Sequence, residues 1–116
     1  MKVSRGVIDD EFIAYRGPHD LHDGTVVSVN SMGDSTLVVV ELCEGGVAEI
    51  DFKDPEQVRA TDAVGMMLHA LAELRGEGSC RRFTFVNWDE SSNRALEIWA
   101  HQGRWRTQQD NAWHDL

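Results

Sequence analysis

The sequence predicts an α+β fold: an antiparallel sheet of about five strands in the order βββ-α-ββ, with one main helix packed on a face. Three observations carry that expectation. Valine-rich, β-branched stretches succeed one another between residues 25 and 52. An apolar stripe at helical spacing follows between residues 64 and 74. Two alternating stretches come last, between residues 82 and 100. The 116 residues suit one domain, 1–116, which buries enough apolar surface to fold without a metal or a disulfide. The terminal segments 1–20 and 102–116 carry the weakest signals.

In chain order, Phe12, Ile13 and Tyr15 suit a short strand or a helical turn, and Gly17-Pro18 breaks it. Thr25 to Ser31 reads as the first clear strand, and Met32-Gly33-Asp34-Ser35 as a turn. Thr36 to Cys43 is apolar on both faces, which suits a central strand. Glu44-Gly45-Gly46 is a tight hairpin turn. Val47 to Phe52 alternates, with Ala48, Ile50 and Phe52 on one side and Glu49 and Asp51 on the other. The helix is expected to start at a Thr61 or Asp62 cap, with Val64, Met67, Leu68, Leu71 and Leu74 in its stripe. Arg75 and Gly76 would end it. Arg82 to Trp88 and Leu96 to Ala100 form the last hairpin, around the polar loop Asp89-Glu90-Ser91-Ser92-Asn93.

Charge narrows the function. Eleven basic and twenty acidic residues leave a net charge of −9. Such a chain repels phosphate, so nucleic acid and anionic membranes are not expected partners. Fourteen of the acids and only five of the bases lie in residues 1–74, so the body is acidic and the last third neutral to basic. No apolar run approaches a membrane span, and Met1-Lys2-Val3-Ser4-Arg5-Gly6 has no signal-peptide character, so a cytoplasmic location is expected. Cys43 and Cys80 have no metal-ligand spacing and read as reduced thiols. Cys43 is expected to be a small buried hydrophobe, and Arg81 and Arg82 would favour a Cys80 thiolate.

Two constellations carry candidate chemistry. In His19-Asp20-Leu21-His22-Asp23, two His and two Asp within five residues offer metal ligands. A hydrolytic site would need His19, Asp20, His22 and Asp23 to converge on one point with a position open for water. Pro18 and Gly24 bracket the segment and favour a turn, in which the Asp side chains bond to nearby amides. The second constellation is the outer face of the last hairpin. Pairing Trp88 near Ala95 and Arg82 near His101 puts Phe83, Phe85, Leu96, Ile98 and Ala100 on the core side. Arg82, Thr84, Val86, Trp88, Glu97, Trp99 and His101 then face outward, with Arg104 and Trp105 following. Trp and Arg are the residue types enriched at binding hot spots, and Arg82 can stack on Trp99. Arg82, Trp88, Trp99, His101, Arg104 and Trp105 are the candidate binding surface.

The stretch from Leu21 to His101 resembles small uncharacterised bacterial α+β proteins whose first strand opens with a His-Asp. The likeness rests on Leu21-His22-Asp23-Gly24-Thr25-Val26, Val64-Gly65-Met66-Met67-Leu68, Arg82-Phe83-Thr84-Phe85-Val86-Asn87-Trp88-Asp89 and Leu96-Glu97-Ile98-Trp99-Ala100. Some such proteins are regarded as immunity proteins, which bind and block a bacterial toxin. The resemblance implies no catalytic residue, and no cofactor is expected. The expected function is therefore a non-catalytic domain that binds a protein partner or itself as a homodimer. The alternatives are a small metal-dependent hydrolase built on His19 to Asp23 and a sensor holding a small ligand between helix and sheet.

Overall fold

The computed structural model describes residues 3–4, 7–8, 11–76, 78–89 and 91–116. Met1, Lys2, Arg5 and Gly6 of the amino-terminal segment and Glu90 of the polar loop lie outside them. The strands are β1 (Val3–Ser4), β2 (Val7–Ile8), β3 (Phe12–Arg16), β4 (Thr25–Met32), β5 (Ser35–Glu41) and β6 (Val47–Lys53). There follow β7 (Gln57–Thr61), β8 (Leu68–Leu74), β9 (Arg81–Asn87), β10 (Ala95–Ala100), β11 (Gln102–Thr107) and β12 (His114–Asp115). One 3-10 turn, His19–Leu21, precedes β4, and there is no α-helix among the described residues.

Two five-stranded antiparallel sheets result, in the orders β3-β8-β9-β10-β7 and β12-β11-β6-β5-β4, and β1 pairs with β2 alone. Between the large sheets lies one apolar core. Val38, Val40, Ala48, Ile50 and Phe52 meet Leu68, Leu71, Phe83, Phe85, Leu96 and Ile98 there, all buried. The Phe52 ring bridges the layers, 5.2 Å from Phe83 and 6.1 Å from Phe85 between centroids. The architecture is an all-β sandwich, and the expected α+β fold is thereby corrected.

The error has a local cause. Leu68 to Leu74 is a strand between β3 and β9, not a helix. A bulge between Leu68 and Ala70 shifts its register against β9. An inserted residue breaks the two-residue alternation, so Leu68 and Leu71, three apart, both enter the core between the sheets. Ala72 and Leu74 pack separately with Val86. This spacing imitates one face of a helix. Val64 and Met67, the other members of the expected stripe, are exposed.

The backbone of residues 65–68 is committed elsewhere. Gly65 N–H donates to Val26 O (2.8 Å) and Leu68 N–H to Gly24 O (2.7 Å). In return Asp23 N–H donates to Leu68 O (2.8 Å) and Val26 N–H to Met66 O (2.9 Å). Every donor spent across the sandwich is lost to an i→i−4 helical bond. These four bonds tie the start of β4 to the start of β8 and so join the two sheets along one edge.

The β4-β5-β6 meander falls where the sequence places it, with β5 between its two neighbours. Only its alternate residues Thr36, Val38 and Val40 are fully buried, while Leu37 and Val39 are half-buried. The next segment, β7, is the polar stretch Gln-Val-Arg-Ala-Thr at a sheet edge, where one face and one backbone edge meet water. Its lack of alternating hydrophobes hides it from sequence reading. In the last hairpin Arg82 pairs with Trp99, not near His101, a register shift of two residues. A two-residue shift preserves side-chain facing, so Phe83, Phe85, Leu96, Ile98 and Ala100 are buried as expected. The chain turns sharply at His101 and re-enters the other sheet as β11, beside β6.

Cys43 is exposed just past β5, which corrects its expected burial. At the β6–β7 corner, Asp54 holds a left-handed backbone (φ 47°) while its N–H donates to Asp34 O. Asp tolerates this region and β-branched residues do not. Asp54→Val is expected to cost about 1–2 kcal/mol, and Asp54→Gly almost nothing, by urea denaturation.

Candidate functional site

The structure splits the residues singled out in the sequence into three neighbourhoods. The first begins with Arg82, whose guanidinium donates to Glu97 (2.7 Å) and Glu11 (3.1 Å) and lies 5.6 Å from the Trp99 ring. Arg59 reaches the other Glu97 oxygen at 3.2 Å. Glu97 is buried beneath these two cations on the outer face of its sheet. The expected Arg82–Trp99 stacking is thus present within an ion-pair lattice.

The second neighbourhood is the sheet corner and the strands after it. His101 Nε2 lies 2.7 Å from Glu56 Oε2, and its Nδ1 is near Ser79. Arg104 pairs with Asp51 (3.2 Å) and Arg106 with Glu49 (2.6 Å). Trp113 lies against both arginines, 4.2 and 4.4 Å from ring centroid to guanidinium carbon. Trp105 packs against the core and stacks on His114 at 4.5 Å. Arg104 and Trp105 therefore belong to the other sheet from Arg82 and Trp99.

The third neighbourhood unites residues that the sequence left apart. Trp88 follows β9, His22 precedes β4, and His69 sits in the β8 bulge. The bonds between β4 and β8 bring the three rings together. His69 and Trp88 stack at 5.5 Å with a 23° interplanar angle. His22 stands edge-on to both, at 5.2 Å from His69 and 5.3 Å from Trp88. Tyr15 from β3 continues the cluster 6.4 Å from His69, and Phe12 lies 4.8 Å from Tyr15. Trp88 is 38% exposed and Tyr15 58%, and Met67, whose carbonyl accepts from the Trp88 N–H, is also exposed. A cleft of about 290 Å³ opens alongside, walled by Tyr15, Arg16, Pro18, His19, His22 and His69 among others.

Of the candidate metal ligands, His19, Asp20 and His22 are exposed and Asp23 is half-buried. Only His22 and Asp23 approach each other, at 3.3 Å. Among the described residues no three His, Cys, Asp or Glu side chains form a group able to hold a metal ion. The 3-10 turn separates the ligands, because Leu21 must point inward to the core.

Burial raises the Cys80 thiol above its ordinary range, and Glu56 adds to the effect. Arg81, expected to favour the thiolate, instead holds Glu73 at 2.8 and 3.1 Å. Arg16 completes the bond set of that buried carboxylate at 2.9 Å. The Arg81 hydrogen bonds, with Arg16 adding to them, hold Glu73 below the usual carboxylate range against the opposing effect of burial.

Sequence reasoning named His22 and Trp88 but missed Tyr15, His69 and Phe12 as partners. The available signal was His69 beside a Met-Met-Leu run, which a helix assignment obscured. Comparison with protein-family models, curated proteins and solved structures finds no match.

Proposed function

We propose that this chain is a non-catalytic domain that recognises a protein partner through the surface formed by Tyr15, His22, His69 and Trp88. The observation behind this reading is the contiguity of the rings. Four side chains from separate segments, three of them exposed and His69 half-buried, form one contiguous aromatic patch on an acidic body. Aromatic anchors carry much of the energy of protein interfaces, because they bury large area with few rotatable bonds. The net charge of −9 would steer a basic partner towards the domain. In the immunity-protein form of this reading, the domain occludes a basic toxin by covering it. The exposed thiol of Cys43 and the unpaired Cys80 support work in the reducing cytoplasm. Among the described residues no helix is long and apolar enough to cross a membrane.

The test compares Trp88→Ala with Trp99→Ala, each first checked for its fold by circular dichroism. Sedimentation would measure self-association, and affinity capture from source-cell lysate would measure partner retention. Trp88→Ala is expected to lose the bound species, whether a second copy or another protein. Trp99→Ala is expected to keep it. Loss in Trp99→Ala with retention in Trp88→Ala would move recognition to the Arg82–Trp99 face and overturn this reading.

A further inference from the structure

We infer that the open edge of β4 pairs antiparallel with β4 of a second copy of this chain, joining their sheets into one. This surface is distinct from the aromatic patch. The second copy then sits at the edge, and the species that depends on Trp88 is another protein.

The hydrogen-bond pattern identifies the open groups. Met32 and Ser35 pair across the two-residue turn Gly33-Asp34, with Gly33 at φ 61°. Residues that close such a turn exchange both backbone bonds. Exchanging pairs recur at every second residue, so Asn30 with Leu37 and Ser28 with Val39 are the next. The N–H and C=O groups of Val29 and Ser31 therefore point away from β5. Among the described residues no strand lies on that side, and no turn or loop bonds to these groups. At Val26 the edge is closed, because Gly65 N–H and Met66 O take its outward groups. The open stretch is thus Val27 to Met32, and Val27 is 47% and Met32 76% exposed.

The other three sheet edges are guarded. β3 has a bulge and ends in Arg16, β7 follows Pro55 and carries Arg59, and β12 has two residues. Bulges, charges, prolines and shortness all discourage edge pairing. The bulge of β4 lies between Val26 and Ser28, at the closed end. Residues 24–33 are the longest run of the chain without Asp, Glu, Lys, Arg or His.

Charge and symmetry select the occupant. Two copies, each at −9, repel one another over most of their surface and least along this uncharged run. A basic partner gains no attraction there. A two-fold axis at Val29 sets that residue opposite its own copy, with the same surface on both sides. Val29 and Ser31 pair with buried Val38 and Thr36, so their side chains lie on the core side. Val29 already packs against the core, and the pairing carries that apolar layer across the join.

Sedimentation velocity of the full chain over about 5–500 µM tests this. Reductant keeps Cys43 and Cys80 from cross-linking. The expected result is a monomer–dimer equilibrium with Kd on the order of 10–100 µM, since one strand pair is a small contact. Hydrogen exchange at the Val29 and Ser31 amides should slow about three- to sixfold across that range. Val29→Pro removes an outward donor and spares the bonds to β5, and should weaken the dimer by about tenfold or more. Asn30 is exposed, and Asn30→Glu sets two like charges near the axis without touching the backbone. It should weaken the dimer about three- to tenfold at low salt and less at about 0.5 M salt. This variant keeps the test decisive should the proline variant unfold. Trp88→Ala should keep the dimer.

A chain that stays monomeric throughout overturns the inference, even if another protein protects the same amides. So does a dimer that Val29→Pro and Asn30→Glu both retain, or one that only Trp88→Ala dissolves. Absence of the edge dimer leaves the aromatic-patch reading intact if the lysate-captured species still depends on Trp88.

Discussion

Phe52→Ala is expected to destabilise the protein by about 3–5 kcal/mol, the largest single-residue effect in the fold. Phe52 is fully buried and touches Phe83 and Phe85 of the opposite sheet. Truncation removes apolar area from the core and leaves a cavity that two hydrogen-bonded sheets cannot collapse to fill. A double-mutant cycle with Phe83→Ala should show a coupling of about 0.5–1.5 kcal/mol, the range for an aromatic pair. Chemical denaturation measures both. Additive losses would mean that the two rings are not in contact and would count against the face-to-face packing of the sheets.

Glu73→Gln is the second. Glu73 accepts from Arg16 and Arg81 at the border of the core, with its side chain almost wholly buried. Breaking a buried pair costs about 3–5 kcal/mol. Both arginines are about a third exposed and recover some hydration, so the expected loss is about 2–3 kcal/mol. The pH dependence follows from the direction of the shift. The folded carboxyl titrates below its reference of 4.5. Its stabilising contribution is therefore complete above that value and is lost as pH falls from there through the folded pKa. Wild type should thus lose stability more steeply than Glu73→Gln in urea titrations below pH 4.5. Parallel acid limbs for the two proteins would refute the assignment.

Much of the sandwich was legible because alternation has a period of two wherever a strand has one wet face. Val47 to Lys53 shows this plainly, with Ala48, Ile50 and Phe52 buried and the residues between them half-buried. The last hairpin was also legible by face, although its register was two residues off. At Leu68 to Leu74 the same rule failed, because a bulge brought Leu68 and Leu71 to one side and apolar residues filled both faces. At Gln57 to Thr61 it failed for the opposite reason, since an edge strand buries too little to show a pattern.

The candidate site divides in the same way. Residue type alone marked Trp88 as an anchor and His22 as part of an unusual cluster. Nothing in sequence spacing could join them, with 65 positions between. Nor could it show that Trp105 packs inward, although it did offer the stacking of Arg82 on Trp99.

By itself the sequence determined the acidic charge, the β4-β5-β6 meander and the inward face of the last hairpin. Each is a local property, written in composition or in the alternation of neighbouring residues. Only the tertiary structure decided that residues 64–74 form no helix, that the chain makes two sheets, and which rings share a surface. Those outcomes depend on hydrogen bonds between segments far apart in the chain. The bonds between Asp23–Val26 and Gly65–Leu68 satisfy backbone groups that local propensity would have assigned to a helix, and they draw His22, His69 and Trp88 together.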